Sequence, residues 1–296
     1  MVREKENVIL NKEKLAQNIL RLIIYNPQIA LKACAGQFVI IRVNEKGERI
    51  PLTIADSDKE KGTITLISMT IGKTTSLIEE MEKGEKINDV LGPLGRSSEI
   101  KKYGHVICIG GGVGIAPVFP ILREMKLAGN KITTIIGAKS ERFLILEREM
   151  KEYSDAFFVC TDDGTKGFKG FVSMKLNEIL NEIKNKESLD IKPDRVVAIG
   201  PTLMMKSVCD VTRKYEIKTI VSLNSIMIDG TGMCGTCRVE VGNETKFACV
   251  DGPEFDGHLV NFNLLLARQN YFCEEEQVVM ERYKHEQHTG TCKLDL

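Results

Sequence analysis

Four residues near the C-terminus have the types and the spacing of iron ligands. Asp229, Cys234, Cys237 and Cys249 form the pattern Asp-x4-Cys-x2-Cys-x11-Cys, which is the spacing of a plant-type 2Fe-2S site with aspartate in the first ligand position. A carboxylate is a harder ligand than a thiolate, but it also binds iron. The pattern therefore predicts a cluster that carries electrons, with a reduction potential altered by the aspartate.

Two other interpretations of these cysteines stay open. The C-x2-C spacing of Cys234 and Cys237 is also typical of zinc sites, although no second C-x2-C or H-x3-H pair lies nearby to complete one. Alternatively, Asp229 is only a turn residue, and Cys273 or Cys292 is the fourth ligand. Each alternative changes the metal or its ligand set, so the positions of these side chains matter for the choice.

A glycine-rich turn is the second feature that could do chemistry. Residues 110–117 read GGGVGIAP and lie between a predicted strand at 105–109 and a predicted helix at 116–128. Backbone N–H groups and a helix N-terminus in this arrangement bind a pyrophosphate. The turn departs from G-x-G-x-x-G, because the third glycine position falls on Ile115 or Pro117. Taken alone, such a turn is structural as often as it is functional.

The elements that position these features change character along the chain. Short β-branched runs before residue 99 predict a small antiparallel barrel or sandwich, interrupted by a helix at 75–81. From residue 104, strands and helices alternate, which predicts a parallel, doubly wound sheet. The region beyond 219 is rich in Gly and Cys as far as 257, and a helix is predicted from 262 to about 285. The predicted strands are 8–10, 20–24, 38–43, 63–68, 105–109, 131–136, 156–159 and 195–199, and the further helices are 116–128, 140–151 and 172–185.

Composition excludes several classes of protein. The chain has 296 residues, and its 41 basic and 41 acidic side chains give a net charge of zero, which argues against a nucleic-acid partner. No stretch approaches the about 18 apolar residues of a membrane span, and the charged N-terminus lacks a signal peptide, so we expect a cytoplasmic protein. An odd count of nine cysteines favours reduced thiols. Those outside the motif that lie among apolar residues are expected in the core: Cys34, Cys108, Cys160 and Cys209.

The order of these parts resembles the ferredoxin-NADP reductase superfamily, in which a flavin-binding barrel precedes a nicotinamide-binding α/β domain. Within it, the C-terminal motif resembles the electron-transfer subunit of dihydroorotate dehydrogenase B. More closely, the chain is similar to the small subunits of NADH-dependent reduced ferredoxin:NADP oxidoreductases, also called sulfide dehydrogenase small subunits. Aspartate in the first ligand position separates this group from the dihydroorotate subunits. The segments that carry the resemblance are 49–56, 137–141, 144–147, 227–234 and 247–258.

The resemblance implies a three-part architecture. It consists of a β-barrel FAD domain at 1–99, an α/β doubly wound parallel-sheet nicotinamide domain at 100–218, and a small C-terminal 2Fe-2S cluster subdomain with a helix at 219–296. The superfamily motif R-x-Y-[ST] is altered here, because Ile50 takes the place of the arginine and Arg49 lies one residue earlier. The flavin-binding residues that the resemblance implies are Arg49, Pro51, Leu52, Thr53, Ile67, Ser68, Met69, Gly72, Thr74 and Thr75.

The resemblance likewise implies a nicotinamide site that uses the glycine turn and later strand ends. Ile199 stands where many relatives carry a cysteine near the hydride path, so catalysis is expected to rest on flavin geometry, with no catalytic side chain. Lys139, Ser140 and Arg142 leave NAD and NADP open, whereas the resemblance favours NAD(H). The implied residues are Gly112, Val113, Gly114, Ala116, Pro117, Gly137, Ala138, Lys139, Ser140, Asp162, Asp163, Gly164, Gly200, Pro201 and Met204.

The implied function is electron transfer between NAD(H), FAD and a 2Fe-2S cluster. In the family, a larger flavin and iron-sulfur subunit is the partner, and ferredoxin and NADP(H) react through it, as half of an electron-bifurcating heterodimer. An alternative is an electron-transfer subunit for dihydroorotate dehydrogenase B or another partner oxidoreductase. An alternative of a different class is a redox-sensing module that binds the same groups without turnover.

Overall fold

The fold is described from a computed structural model that covers residues 6–185 and 192–289, with side chains to residue 285. Its N-terminal part is a six-stranded antiparallel sheet in the order β1-β2-β5-β4-β3-β6. Apolar residues alternate along β2, where Leu20, Leu22 and Ile24 are buried. The elements are β1 (Val8–Ala16), β2 (Ile19–Tyr25), α1 (Pro27–Lys32), β3 (Phe38–Arg42), β4 (Arg49–Asp58), β5 (Thr63–Met69), α2 (Lys73–Glu80) and β6 (Asp89–Leu94).

This sheet closes on itself. The backbone N–H of Ile9 donates to the carbonyl of Glu85 at 2.9 Å, and the N–H of Ile87 donates to the carbonyl of Asn7 at 3.0 Å. The segment just before β6 therefore pairs with β1, which removes an open edge. The predicted barrel is confirmed.

The second sheet has seven strands in the order β10-β9-β8-β7-β11-β12-β15, and all its pairs are parallel except β12 with β15. The strand order reverses between β7 and β11, and doubly wound sheets bind their ligands at such a point. The elements are β7 (His105–Gly111), α3 (Ile115–Leu127), β8 (Lys131–Ala138), α4 (Glu147–Glu152), β9 (Ala156–Thr161), β10 (Phe168–Lys169), α5 (Val172–Lys184), β11 (Arg195–Ile199), α6 (Thr202–Arg213), β12 (Lys218–Ser222) and β15 (Glu254–Asp256).

Helices cover both faces of this sheet because its strands are apolar on both sides. Val106 and Cys108 of β7 join the core cluster under α3, whereas Ile107 and Ile109 join the cluster under α5 and α6. Near-continuous apolar strands are typical of buried parallel sheets. The predicted doubly wound fold is confirmed.

The C-terminal part packs against both sheets. Its hairpin is β13 (Arg238–Val241) with β14 (Glu244–Phe247), and its helices are α7 (Phe262–Gln269) and α8 (Cys273–Thr289). The hydroxyl of Tyr283 on α8 donates to the carboxylate of Glu80 on α2, which ties α8 to the barrel. Because β12 and β15 extend the α/β sheet, the division into domains at residues 99 and 218 stays a proposal.

Three expectations need correction. The helix predicted at 140–151 exists only as α4, because Leu144, Ile145 and Leu146 are buried in the core and Leu146 adopts a left-handed conformation at φ 54°. The C-terminal helix is broken between α7 and α8. Cys34 is exposed, whereas the other three cysteines expected in the core are buried. Within the described residues, none of the helices combines the length and apolar character that a bilayer crossing requires.

Candidate flavin, nicotinamide and cluster sites

A cleft of about 460 Å³ lies between the barrel and the α/β sheet. The barrel lines it from β4 and β5, and the sheet lines it from the turns that follow β7 and β11. The structure therefore brings most of the predicted flavin and nicotinamide residues to one cavity. Those that line it are Pro51, Leu52, Thr53, Ile67, Ser68, Met69, Gly112, Val113, Gly114, Ala116, Pro117, Gly200 and Pro201.

The glycine turn is shaped by close packing. A Cβ at Gly114 would lie 2.5 Å from the carbonyl oxygen of Ile199, so no larger residue fits between β7 and β11. Gly112 has φ 55° and open space where a Cβ would stand. This leaves the backbone accessible from the cleft just before α3 begins at Ile115, as close approach of a phosphate requires.

Met204 has a different position from the other predicted nicotinamide residues. Its side chain packs against the glycine turns, because a Cβ at Gly200 would lie 2.8 Å from the Met204 methyl carbon. Met204 is absent from the residues that line the cleft. The structure therefore places it behind the turns.

The predicted phosphate segment lies at the start of α2, outside the cleft. The hydroxyl of Thr75 accepts hydrogen bonds from the N–H groups of Ile71 at 3.2 Å and Gly72 at 3.1 Å. The hydroxyl of Thr74 donates to Glu48 at 2.9 Å. Both hydroxyls therefore already have partners, while Gly72 has open space around it. Arg49 is exposed at the first residue of β4, so the phosphate roles of this segment stay predictions.

The predicted adenosine segments meet at the carboxyl ends of β8 and β9. The N–H of Asp162 donates to the carbonyl of Ala138 at 3.1 Å, and the N–H of Asp163 donates to that of Lys139 at 3.3 Å. The Ser140 hydroxyl is buried and has no hydrogen-bond partner. Burial and the neighbouring Asp163 raise the pKa of Asp162. Gly137 lies near the end of β8, and Gly164 follows the end of β9. The predicted adenosine residues therefore lie together at these two strand ends.

Residues 229–249, called the cluster loop because they carry the four predicted ligands, place two of their thiols in contact. The Sγ atoms of Cys237 and Cys249 are 3.2 Å apart, and both residues are buried. Burial and the neighbouring Cys237 raise the pKa of the Cys249 thiol to about 12, which a metal ion would reverse, because a coordinating thiol is deprotonated. Burial raises the pKa of Cys234, but hydrogen bonds from Thr236 and the Asp229 backbone outweigh it, and the pKa is lowered.

The aspartate of the motif supports the loop. Its carboxylate accepts hydrogen bonds from the N–H groups of Thr231 at 2.9 Å and Cys234 at 2.8 Å, which lower the pKa of Asp229. Gly230, with φ 73°, lies against the barrel, because a Cβ there would be 2.9 Å from Ile40. An ionised carboxylate and a thiol prone to ionise suit iron. The chemistry of these donors suits an iron-sulfur cluster, but the structure brings only Cys237 and Cys249 into contact, so the set of four ligands stays a prediction.

The two alternatives gain no support from the geometry. In the portion of the chain that is described, no three His, Cys, Asp or Glu side chains gather as a preformed metal site, and this holds for Asp229, Cys234, Cys237 and Cys249 as well as for a zinc site. Cys273 contacts Asn270 at 3.8 Å and does not line the cavity beside Cys234, and Cys292 lies outside the described residues.

Sequence reasoning missed one wall of the cleft. Residues 222–225, Met227 and Pro253 line it, together with Phe38. The signal that points to residue 222 is that β12 runs parallel to β11, so its carboxyl end must reach the same edge as the glycine turns. This wall continues directly into the cluster loop at Asp229.

Three known domain families match the chain in succession. Residues 7–98 match the oxidoreductase FAD-binding domain, and residues 108–210 match the oxidoreductase NAD-binding domain. Residues 224–261 match the iron-sulfur cluster binding domain of dihydroorotate dehydrogenase B.

A protein of Thermotoga maritima, named dihydroorotate dehydrogenase B (NAD(+)) electron transfer subunit homolog, is 46% identical over 277 residues, which are 94% of this chain and 95% of the relative. The chain belongs to the family of dihydroorotate dehydrogenase B electron transfer subunits and their homologues. The family member of Streptococcus pneumoniae strain R6 is 30% identical, with 86% of this chain and 97% of that protein covered.

A solved structure also matches this member of the family. It is a chain of NADH-dependent reduced ferredoxin-NADP oxidoreductase, determined to study flavin-based electron bifurcation. It is 45% identical, with a TM-score of 0.86 over 94% of this chain and 98% of that one. The chain is therefore an oxidoreductase with FAD-binding, NAD-binding and iron-sulfur cluster domains, related to electron-transfer subunits of larger complexes.

Proposed function

We propose that the chain is the electron-transfer subunit of an electron-bifurcating ferredoxin:NADP+ oxidoreductase. The cleft would hold NAD(H) and FAD for hydride transfer. Asp229, Cys234, Cys237 and Cys249 would hold a 2Fe-2S cluster, which would exchange single electrons with a larger flavin and iron-sulfur subunit. Ferredoxin and NADP(H) react through that subunit. Bound FAD supplies the conversion between two-electron and one-electron chemistry.

The observation that carries the proposal is the continuity between the cleft and the cluster loop. Residues 222–225 and Met227 form a wall of the cleft, and the same stretch reaches Asp229 two residues later. The cleft and the cavity beside Cys234 also share Ser225 in their linings, so the two predicted sites border each other. The 45% identity to a chain of the bifurcating oxidoreductase over 94% of this chain supports the choice of partner complex.

The residues of the cleft support hydride transfer by alignment. Backbone at Gly112 and Gly114 admits a phosphate, whereas Leu52, Ile67 and Val113 offer apolar surface to flat rings. Ile199, only 6% exposed at the sheet edge, supplies no proton donor. The chain's contribution is then to hold the two rings against each other and to exclude water.

A second candidate is an electron-transfer subunit for a dihydroorotate dehydrogenase. The observation that favours it is the match of residues 224–261 to the cluster domain named for that enzyme. Both candidates share the same internal path from NAD(H) to the cluster. They differ only in the protein that receives the electrons.

One experiment separates them. The tagged chain is captured anaerobically from its native cells, and the co-purified subunit is identified and tested for NADP(H), ferredoxin and dihydroorotate. We expect a larger flavin and iron-sulfur subunit that reacts with NADP(H). A dihydroorotate-oxidising partner would contradict the proposal. The isolated chain should show flavin and cluster absorbance that NADH bleaches within seconds, and failure to bleach would favour a redox sensor.

A further inference from the structure

Ser225 is a buried hydroxyl without a hydrogen-bond partner, at the wall that separates the cleft from the cluster. The residue is 6% exposed, and its Oγ atom has no protein partner. It lines the flavin-nicotinamide cleft and also a second cavity, of about 330 Å³, which Cys234 lines as well. Among the described residues, Ser225 is the only one that lines both cavities.

An unpaired buried hydroxyl costs about 1–3 kcal/mol, so in native proteins such a group has a partner in a bound ligand or an ordered water. The polar groups around Ser225 do not relieve it, because they bond to one another. Asn224 Oδ1 accepts from Gln269 at 2.6 Å and from the Thr202 hydroxyl at 3.2 Å, and the Asn224 carbonyl accepts from Gln269 at 3.0 Å. These bonds fix the backbone on one side of Ser225 and leave its hydroxyl available.

A second hydroxyl in the same cleft behaves alike. Ser68, on β5 of the barrel, is 3% exposed, and its Oγ also has no partner. Ser68 and Ser225 come from two separate segments that line one cavity whose other lining groups are largely apolar. A flat ligand with heteroatoms along its rim would satisfy both hydroxyls while its faces contact the apolar residues.

We propose that Ser225 is a cofactor-positioning residue, whose hydroxyl hydrogen-bonds the isoalloxazine ring of FAD on the side that faces the cluster loop. The proposal for Ser225 rests on the proposed function in one respect only, which is that electrons leave the flavin toward the cluster on the other side of this wall. Because that wall is shared with the cavity beside Cys234, the hydrogen bond orients the flavin toward its electron acceptor. Loss of the hydroxyl weakens flavin binding and changes the flavin's redox behaviour without weakening the fold.

The test compares Ser225→Ala with Ser207→Ala in the full-length chain. Ser207 is exposed on α6, and its hydroxyl bonds only the Leu203 carbonyl at 2.9 Å, so it is a matched serine outside the cleft. We expect Ser225→Ala to raise the Kd of FAD about five- to tenfold, the effect of one lost hydrogen bond, and to shift the flavin midpoint potential. The melting temperature of the FAD-free variant should equal or exceed that of the parent chain, because an unpaired polar group has been removed.

Ser225→Thr, which keeps a hydroxyl, should bind FAD more tightly than Ser225→Ala. An unchanged FAD Kd and potential in Ser225→Ala would overturn the proposal, as would a lower melting temperature of the FAD-free variant. A weaker Kd for NADH with unchanged FAD binding would also overturn it and assign the hydroxyl to the nicotinamide. These readouts need no turnover or partner, so a failed proposal for the complex would leave them interpretable.

Discussion

At the scale of single residues, the proposed cluster ligands differ in what each would contribute. Cys237 and Cys249 form a buried pair of thiols, whereas Asp229 is a carboxylate that accepts two backbone hydrogen bonds. We expect Cys237→Ser to lose most of the iron and sulfide, because a buried hydroxyl replaces a thiolate ligand. Asp229→Cys should keep the cluster with a shifted midpoint potential. Iron and sulfide analysis and a redox titration measure both outcomes.

Cys273→Ser is the control for this pair of variants. Cys273 begins α8 and contacts Asn270, and of the two cysteines that the alternative ligand set offers, Cys273 and Cys292, it is the one within the described residues. Full iron and sulfide content in Cys273→Ser would exclude Cys273 as the fourth ligand, and the same result in Cys292→Ser would exclude the other candidate. Full content in Cys237→Ser, or an unaltered potential in Asp229→Cys, would contradict the ligand set with Asp229.

Spacing explains why some site residues were predictable and others were not. Asp229 and its three cysteines are recognisable because cluster ligands come from one short loop. Ser225 carries no such signal, since a serine among apolar residues has many ordinary roles. Only its burial and its lack of a partner mark it, and these depend on side chains that come from distant segments.

At the scale of elements, the β7-α3 turn determines how closely two strands approach. Gly114→Ala would place a methyl group 2.5 Å from the Ile199 carbonyl and 2.7 Å from Gly200 Cα. Overpacking of this kind lowers the free energy of unfolding by about 1–3 kcal/mol. Gly72→Ala is the control, because its Cβ would meet nothing within 4 Å and its φ is −120°. Urea unfolding of the FAD-free proteins measures both, and equal loss in the two variants would contradict the packing argument.

Local patterns predicted most of the regular elements near the cleft. The strands β7, β8, β9 and β11 follow from short apolar runs, since a parallel sheet buries both faces. The failure at residues 140–151 has a tertiary cause. Leu144–Leu146 fit a helical apolar pattern, but all three are buried in a core cluster, with Leu144 extended and Leu146 left-handed before α4. Helix periodicity alone cannot register that competition.

At the scale of the whole molecule, β15 brings a carboxylate to the junction of the three parts. Glu254 Oε1 accepts a hydrogen bond from the Ser98 hydroxyl at 2.5 Å, while its backbone pairs with Ser222 of β12. Burial raises the pKa of Glu254 above its ordinary value of 4.5. The folded chain then binds more protons than the unfolded chain between these two pKa values, so this group makes stability fall as pH rises through that window.

Glu254→Gln should remove the part of the pH-dependent decrease in stability that Glu254 causes. Its free energy of unfolding, relative to the parent chain, should increase as pH rises from 4.5 toward neutrality. Glu244→Gln is the control, because Lys246 lowers the pKa of this exposed carboxyl, so its contribution to stability changes below pH 4.5 and should stay constant over this range. Urea unfolding of the parent chain and both variants at several pH values in this range measures these free energies. A difference between Glu254→Gln and the parent that does not vary with pH would contradict the assignment.

The relative orientation of the barrel and the α/β sheet should set the rate of hydride transfer, because each supplies one side of the cleft. Arg123 of α3 bonds Asp56 of β4 at 2.9 Å and holds the two parts together. The pair is partly exposed, so it contributes at most about 1 kcal/mol to stability.

Arg123→Met keeps an unbranched side chain against Phe119 but removes the charge. We expect flavin reduction at saturating NADH, followed by anaerobic stopped flow, to slow about two- to fivefold with FAD affinity unchanged. Lys206→Met is the matched control, since it removes an ion pair of the same 2.9 Å length that lies wholly within α6. Equal rates in the two variants would show that the orientation does not depend on this ion pair.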